Sequence, residues 1–194
     1  SGRCPVILKT DMTHLANKGE PREAILAGLY DAVCENVLTP LGPNGSGTYR
    51  KAIFDFRVDS PVDSPWEQAP TDAVLLFEGM FLFRPELNDH WDFRIFVHAD
   101  FETTLERAAR RDLELFGSDD EVRRRYHTRH IPGQQHYIET IQPHATADVV
   151  VDNNHPANAV GPLLRHRSGI RKGPTVGRAL LVGITVAAIT RQAA

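Results

Sequence analysis

The chain has 194 residues, of which 24% are charged and 41% apolar, a composition typical of one soluble globular domain. A formal net charge of -3 argues against nucleic acid as a partner, although it is compatible with a local basic patch. Cys4 and Cys34 have neither metal-ligand spacing nor a disulfide framework, so we expect reduced thiols and a cytoplasmic location. The apolar run at residues 179–189 is too short to cross a bilayer, so we expect no membrane partner.

The first predicted strand covers residues 5–10 and is followed directly by Asp11. A turn aspartate is the simpler interpretation, and a carboxylate facing a ligand crevice is the alternative. Residues 21–38 have the apolar stripe of a helix, which we expect to stop at Pro40.

A glycine-rich segment at residues 41–49 has the spacing of a phosphate-binding loop, with glycines at Gly42 and Gly47. Thr48 stands where such a loop requires lysine, and a helix precedes the segment where a strand is required. We therefore predict a turn here.

Two unbroken apolar runs, residues 73–77 and 93–97, predict strands that are buried on both faces, as in a parallel sheet. The first run ends in Glu78-Gly79. A carboxylate at the carboxyl end of a buried strand lies where open α/β sheets bind ligands, although a capping role is the simpler interpretation.

The second half of the chain alternates helical and strand-like segments. We predict helices at residues 101–116 and 121–141 with a break at Gly117, strands at 147–152 and 178–185, and a loop-like connection at 153–178. This order predicts a three-layer α/β fold, with a mainly parallel sheet flanked by helices, in a single domain over residues 1–194.

Two arginine clusters flank the break at Gly117, namely Arg107, Arg110 and Arg111 before it, and Arg123, Arg124, Arg125 and Arg129 after it. A solvated helix face is the simple explanation of such a charge run. Guanidinium groups on a helix–loop–helix are also suited to binding phosphate, because they are planar, permanently charged and bidentate. We therefore predict that residues 101–141 form an arginine-rich lid.

Residues 74–143 resemble the uridine kinase family of P-loop nucleoside kinases. The pieces that carry the resemblance are Val-Leu-Leu-Phe-Glu-Gly at 74–79, Arg-Pro-Glu-Leu at 84–87, Trp-Asp-Phe-Arg-Ile-Phe-Val at 91–97, Glu-Arg-Ala-Ala-Arg-Arg-Asp at 106–112, and Tyr126 with the polar helix after it. The segment Asp-Met-Thr-His at 11–14 resembles the family's Asp-x-Phe-His, with Thr13 in place of the aromatic residue. The resemblance implies a P-loop NTPase-like fold.

The resemblance also implies roles for individual residues. Asp11 would be the general base or orienting carboxylate for the acceptor hydroxyl, and Glu78 would lie beside Mg²⁺. Arg107, Arg110 and Arg111 would contact the phosphates. The residues implied in holding the nucleoside or its phosphorylated form are His14, Tyr49, Asp55, Tyr126 and Arg129.

The phosphate-binding loop of the family, Gly-x-x-x-x-Gly-Lys-[Ser/Thr], does not occur in the sequence. Residues 178–185 resemble the strand that precedes this loop in the family, and residues 186–194 resemble a degenerate form of the loop. Gly183, Thr190 and Arg191 would then be the nucleotide-binding residues, and the chain order would be rearranged or the chain a fragment. An unrelated apolar tail is the alternative.

The function implied is transfer of the γ-phosphoryl group of ATP or another NTP, with Mg²⁺, to a hydroxyl of a nucleoside or similar small metabolite. Two alternatives stay open: a non-catalytic relative that binds a nucleoside or phosphorylated metabolite, and a nucleic-acid-binding module that uses the arginine clusters. The sequence leaves a homo-oligomer open.

Overall fold

The computed structural model describes the backbone of residues 5–9, 22–52, 54–55, 60–155, 163–164 and 180–189, and the side chains of most residues between 28 and 155 and of 182–185. The chain divides into two compact units, Ser1–Arg94 with Arg167–Thr185 and Ile95–His166 with Val186–Ala194.

The described strands are, in chain order, β1 Pro5–Lys9, β2 Thr48–Tyr49, β3 Phe54–Asp55, β4 Ser60–Pro61, β5 Glu67–Gln68, β6 Val74–Gly79, β7 Phe93–Asp100, β8 Val149–Asp152, β9 Leu163–Leu164 and β10 Leu180–Ile189. The described α-helices are α1 Arg22–Val33, α2 Thr39–Leu41, α3 Pro85–Asn88, α4 Phe101–Arg111, α5 Leu113–Phe116, α6 Asp119–Arg125, α7 Ile131–Ile141 and α8 Pro143–Thr146. Two π-helical turns, Cys34–Leu38 and Tyr126–His130, join α1 to α2 and α6 to α7.

Strand β6 is the centre of the first unit. It pairs in parallel with β1 on one side and with β10 on the other, and Val182 of β10 is in register with Leu76. Its Leu75 and Phe77 are only 0% and 2% exposed, which is the burial that an uninterrupted apolar run predicts. The C-terminal strand therefore pairs with the strand that carries Glu78, which the alternative of an unrelated apolar tail did not predict.

A buried tryptophan anchors the core beside this strand. Trp91 is 1% exposed, and its Nε1 donates a hydrogen bond to the carbonyl oxygen of Leu82 at 2.7 Å. Its ring is tilted against Phe77, with centroids 5.7 Å apart. The indole therefore satisfies its one donor while it fills the core, which is what a buried tryptophan requires.

In the second unit, β7 and β8 pair in parallel, with Phe96 in register with Val150, and β9 pairs antiparallel to β8. Helices α4 to α7 follow β7 along the chain. Leu105 and Ala108 of α4 pack with Val122 and Tyr126 in one apolar cluster. This cluster joins the two arms of the helix–loop–helix, which reverses at Gly117, a glycine with φ 85°.

The predicted α/β class, with mainly parallel strands flanked by helices, is confirmed. Several boundaries were wrong, among them those at Pro40, at the end of β10 and in the connection after β8. Helix formation continues through Pro40, because the proline occupies the first turn of α2 after a π-helical turn, where its missing N–H leaves no acceptor unpaired. Strand β10 extends to Ile189, four residues beyond the predicted end at Thr185.

The third of these boundaries is in the predicted connection at 153–178. It contains Leu163–Leu164 as a strand paired with β8, because an exposed edge of a buried sheet favours a further strand. The predicted turn at residues 41–49 is confirmed: Gly47 has φ 76°, and the N–H groups of Gly42 and Gly47 bind the carbonyl oxygens of Thr39 and Pro40.

Candidate functional site

The carboxylate of Glu78 lies at the carboxyl end of β6, one residue before the strand ends. The side chain is half-buried, and its backbone is in register with Lys9 of β1 and Ile184 of β10. Strands β1 and β6 therefore end together at this residue, whereas β10 continues beyond it to Ile189. The carboxyl ends of parallel strands form the crevice in which α/β proteins bind ligands.

A buried hydroxyl lies at the same edge. Thr185 is 0% exposed and in register with Gly79, and its Oγ1 has no hydrogen-bond partner among the residues that the structure describes. Buried hydroxyl groups are nearly always hydrogen-bonded in native proteins, so a polar ligand or water at this edge would satisfy it. Thr185 was not among the predicted site residues, and the available signal was its position as the first polar residue after residues 179–184.

Gly183 is required by packing. A Cβ atom at this position would lie 2.7, 2.9 and 3.0 Å from three carbons of the Trp91 ring. Its predicted role in nucleotide binding remains a prediction, and the close approach of β10 to Trp91 already requires glycine here.

The segment after β6 has a strained residue. Phe81 has φ 65°, which is rare for an aromatic residue, and it is 8% exposed. The hydrogen bond from Trp91 to Leu82 holds the adjacent backbone. Strain of this kind clusters at ligand-binding sites, and here it is three residues from Glu78.

Two residues predicted to hold the nucleoside belong to the small sheets of the first unit. The Tyr49 hydroxyl donates a hydrogen bond to Glu67 Oε2 at 3.2 Å, and Lys51 forms an ion pair with the same oxygen at 2.7 Å. The hydrogen bond from Lys51 lowers the pKa of Glu67 and keeps it charged. Asp55 lies in β3, which pairs with β4, and its side chain is outside the described residues.

Helix α4 begins directly at the end of β7, and a network of hydrogen bonds holds its first turns. The N–H of Asp100 donates to Asn154 Oδ1 at 2.8 Å, and Asn154 Nδ2 donates to Asp152 Oδ1 at 2.8 Å. Arg107 Nη2 donates to the carbonyl oxygen of Asn154 at 2.9 Å. Arg107 is therefore half-buried and held against the end of β8.

The next two arginines of α4 differ from Arg107 and from each other. Arg110 is exposed and makes no hydrogen bond or ion pair with the described part of the chain. Arg111 donates from Nε and Nη2 to the two carboxylate oxygens of Asp112, at 2.7 and 2.9 Å. Its Nη2 also donates to the hydroxyl of Tyr126 at 3.0 Å.

Tyr126 completes this arrangement. Its hydroxyl donates to Asp112 Oδ2 at 3.0 Å, and the residue is 7% exposed. Burial, followed by the charge of Asp112, raises the pKa of Tyr126 to about 12, so the phenol stays protonated. Hydrogen bonds from Arg111 and Tyr126 outweigh the effect of burial and lower the pKa of Asp112. The structure thus brings together Arg111 and Tyr126, two residues for which the resemblance implied separate roles.

Most of the second arginine cluster is neutralised within its own helix. Arg123 pairs with Asp119 at 2.7 Å, and Arg124 and Arg125 both pair with Glu121 at 2.7 and 2.6 Å. The hydrogen bonds from Arg124 and Arg125 lower the pKa of Glu121 to about 2. The simple explanation, a solvated helix face, therefore fits these three arginines. Arg129 is half-buried in the second π-helical turn.

The remaining predicted site residues, Asp11, His14, Thr190 and Arg191, lie outside the described residues. Among the residues that the structure describes, no three His, Cys, Asp or Glu side chains form a group that could hold a metal ion. None of the described helices is long and apolar enough to span a membrane.

Comparison with known proteins places this geometry in a family. The sequence profile of the Phosphoribulokinase / Uridine kinase family matches residues 27–160, more than half of the chain. The chain belongs to this family. The match includes Glu78, α4 and the Tyr126 turn, and it agrees with a P-loop NTPase-like α/β fold and with the predicted likeness to uridine kinases.

A similar curated protein is the uridine kinase of Chlamydia pneumoniae, which is 31% identical over 117 residues. The aligned part is 59% of this chain and 52% of that protein, so the chain spans about half the length of this relative.

Proposed function

We propose that the chain is part of an NTP-dependent phosphotransferase that moves a γ-phosphoryl group to a hydroxyl of a nucleoside or similar small metabolite. The observation that carries this proposal is the family match over residues 27–160. Two features support it, each within its own unit: a carboxylate at the end of a central parallel strand, and arginines on a helix–loop–helix later in the chain. In phosphoryl transfer such groups position the reactants and neutralise charge on the migrating group.

Glu78 fits the binding of Mg²⁺. The ion prefers hard oxygen ligands, and in kinases it is held by one or two carboxylates together with substrate phosphates and water. One carboxylate at the crevice edge therefore suffices, and a cluster of three protein ligands is not required. The bound ion would neutralise charge on the transferred phosphate.

For the nucleotide, the buried Thr185 hydroxyl fits a polar group at the same strand edge, because it has no partner among the described residues. Gly183, Thr190 and Arg191 are proposed to line the phosphates. Arg107, Arg110 and Arg111 are proposed as lid groups. Arg110 can take a phosphate directly, since it is exposed and its charge is uncommitted within the described residues.

For the acceptor, Asp11 is proposed to orient or deprotonate the hydroxyl that attacks the phosphorus. His14, Tyr49, Asp55 and Arg129 are proposed to hold the nucleoside, with Tyr49 already fixed by its hydrogen bond to Glu67. Tyr126 has the same proposed role by resemblance, but its contacts with Arg111 and Asp112 favour a different one, argued below.

The test is a transfer assay with γ-labelled ATP, Mg²⁺ and a panel of nucleosides, on the full chain. We expect labelled nucleoside monophosphate, and loss of turnover in Asp11→Asn and Glu78→Gln without loss of the folded state by circular dichroism. Equal turnover in Asp11→Asn would reduce Asp11 to a turn residue. Absence of transfer to any nucleoside by the folded wild-type chain would contradict the proposed function.

A further inference from the structure

The contacts of Tyr126 are directed at an arginine. Its ring packs in the apolar cluster with Leu105, Ala108 and Val122, so the ring position is fixed by both arms of the helix–loop–helix. Its hydroxyl accepts a hydrogen bond from Arg111 Nη2 and donates one to Asp112 Oδ2, both at 3.0 Å. A rigid group therefore sets the plane of the Arg111 guanidinium.

The arrangement leaves one side of this guanidinium available. Asp112 occupies Nε and one N–H of Nη2, and Tyr126 occupies the other N–H of Nη2. Nη1 makes no hydrogen bond with any residue that the structure describes, and the Arg111 side chain is 70% exposed. An arginine held on one edge and exposed on the other is preorganised for an anion, because little side-chain entropy is left to lose on binding.

The exposed arginines of α6 are held differently. Arg124 pairs only with Glu121 on its own helix and is 61% exposed, without a buried partner. The Arg111 network joins residues from the ends of two helices, α4 and α6, and includes two largely buried groups, Asp112 and Tyr126. Such a network is more than a surface ion pair of low energy.

We propose that Tyr126 is a positioning residue, which together with Asp112 holds Arg111 so that Nη1 binds a phosphate oxygen of the nucleotide. This inference rests on the proposed function, and it assigns binding of the nucleotide phosphate to Arg111. On this inference Tyr126 does not contact the nucleoside, and it acts on the nucleotide phosphate through Arg111.

The test measures binding of inorganic triphosphate to the full chain by calorimetry in Mg²⁺-free buffer, for the wild type, Arg111→Gln, Tyr126→Phe and the double variant. We expect Arg111→Gln to weaken binding about 10-fold, the effect of one hydrogen bond to a charged group. Tyr126→Phe keeps the packed ring and should weaken binding about 5-fold, with a melting temperature close to that of the wild type. In the double variant the phenylalanine should cost nothing more, because Tyr126 acts through Arg111.

Two matched controls accompany these variants. Arg124→Gln removes an exposed arginine that is already neutralised, and Tyr137→Phe removes the hydroxyl of another buried tyrosine, 3% exposed, on α7. Both should bind triphosphate as the wild type does.

The inference is overturned if Tyr126→Phe binds triphosphate like the wild type, if its effect adds fully to that of Arg111→Gln, or if Arg111→Gln has no effect. The last result would mean that the network only stabilises the fold. A wild-type chain that binds no triphosphate would also overturn it. Coupled triphosphate binding without transfer to any nucleoside would contradict the proposed function alone, whereas transfer without coupling would contradict this inference alone.

Discussion

Replacement of Gly183 by alanine should destabilise the first unit, because β10 passes too close to Trp91 for a side chain. The new Cβ would lie 2.7, 2.9 and 3.0 Å from three ring carbons, whereas ordinary van der Waals contact begins at 3.4 Å. The ring cannot turn away easily, since Nε1 is bound to Leu82 and the ring also packs against Phe77. Overpacking of this kind costs about 1–3 kcal/mol.

Urea denaturation monitored by tryptophan fluorescence measures the change in the free energy of unfolding. Gly28→Ala is the matched control, because Gly28 lies in α1 with nothing within 4 Å of the added Cβ. Alanine in a helix is favoured over glycine by about 1 kcal/mol, so this variant should be more stable than the wild type. A Gly183→Ala chain as stable as the wild type would refute the close packing of β10 on Trp91, and with it the placement of this strand beside β6.

Three further predictions follow from buried polar groups. Asn154→Ala removes two hydrogen bonds, one that Asn154 Oδ1 accepts from the N–H of Asp100 and one that Nδ2 donates to Asp152 Oδ1. The change should lower the free energy of unfolding by about 1–3 kcal/mol, measured by thermal denaturation. An unchanged melting temperature would contradict the network at the start of α4. Burial, and then the charges of Asp31 and Glu35, raise the pKa of the Cys34 thiol, so iodoacetamide should label Cys34 more slowly at pH 8 than it labels a free cysteine, by site-resolved mass spectrometry. Burial lowers the pKa of His90, so the unfolded chain binds more protons than the folded chain below the ordinary imidazole pKa of about 6.5; stability should therefore fall as the pH decreases through this region, and His90→Gln should flatten that part of the pH–stability curve.

The sequence predicted the strands of the sheet well because their apolar runs are short, uninterrupted and followed by polar residues. The run 73–77 became most of β6, and the strand predicted at 178–185 became part of β10, with Val182 in register with Leu76. Pro40 misled the prediction of the helix end, because a proline is compatible with the first turn of a helix as well as with its termination. Only the backbone around it distinguishes these cases.

The candidate site was predictable only in part. A carboxylate after a buried strand and arginines beside a glycine break are visible as patterns along the chain. The different partners of the individual arginines are not visible along the chain, because they depend on which groups come close in space. Arg124 is neutralised by an acid three residues away, whereas Arg111 is bound by Tyr126, fifteen residues away, and Arg107 by the Asn154 carbonyl, forty-seven residues away. Periodicity carries no information on such contacts.

The most direct test of nucleotide use by this chain is a calorimetric titration of the full chain with ATP and Mg²⁺, with and without uridine. We predict saturable binding of ATP that weakens when Mg²⁺ is withheld, weakens in Arg110→Gln, and is unchanged in Arg124→Gln. Binding of uridine by a folded chain that takes up no ATP under any of these conditions would contradict it.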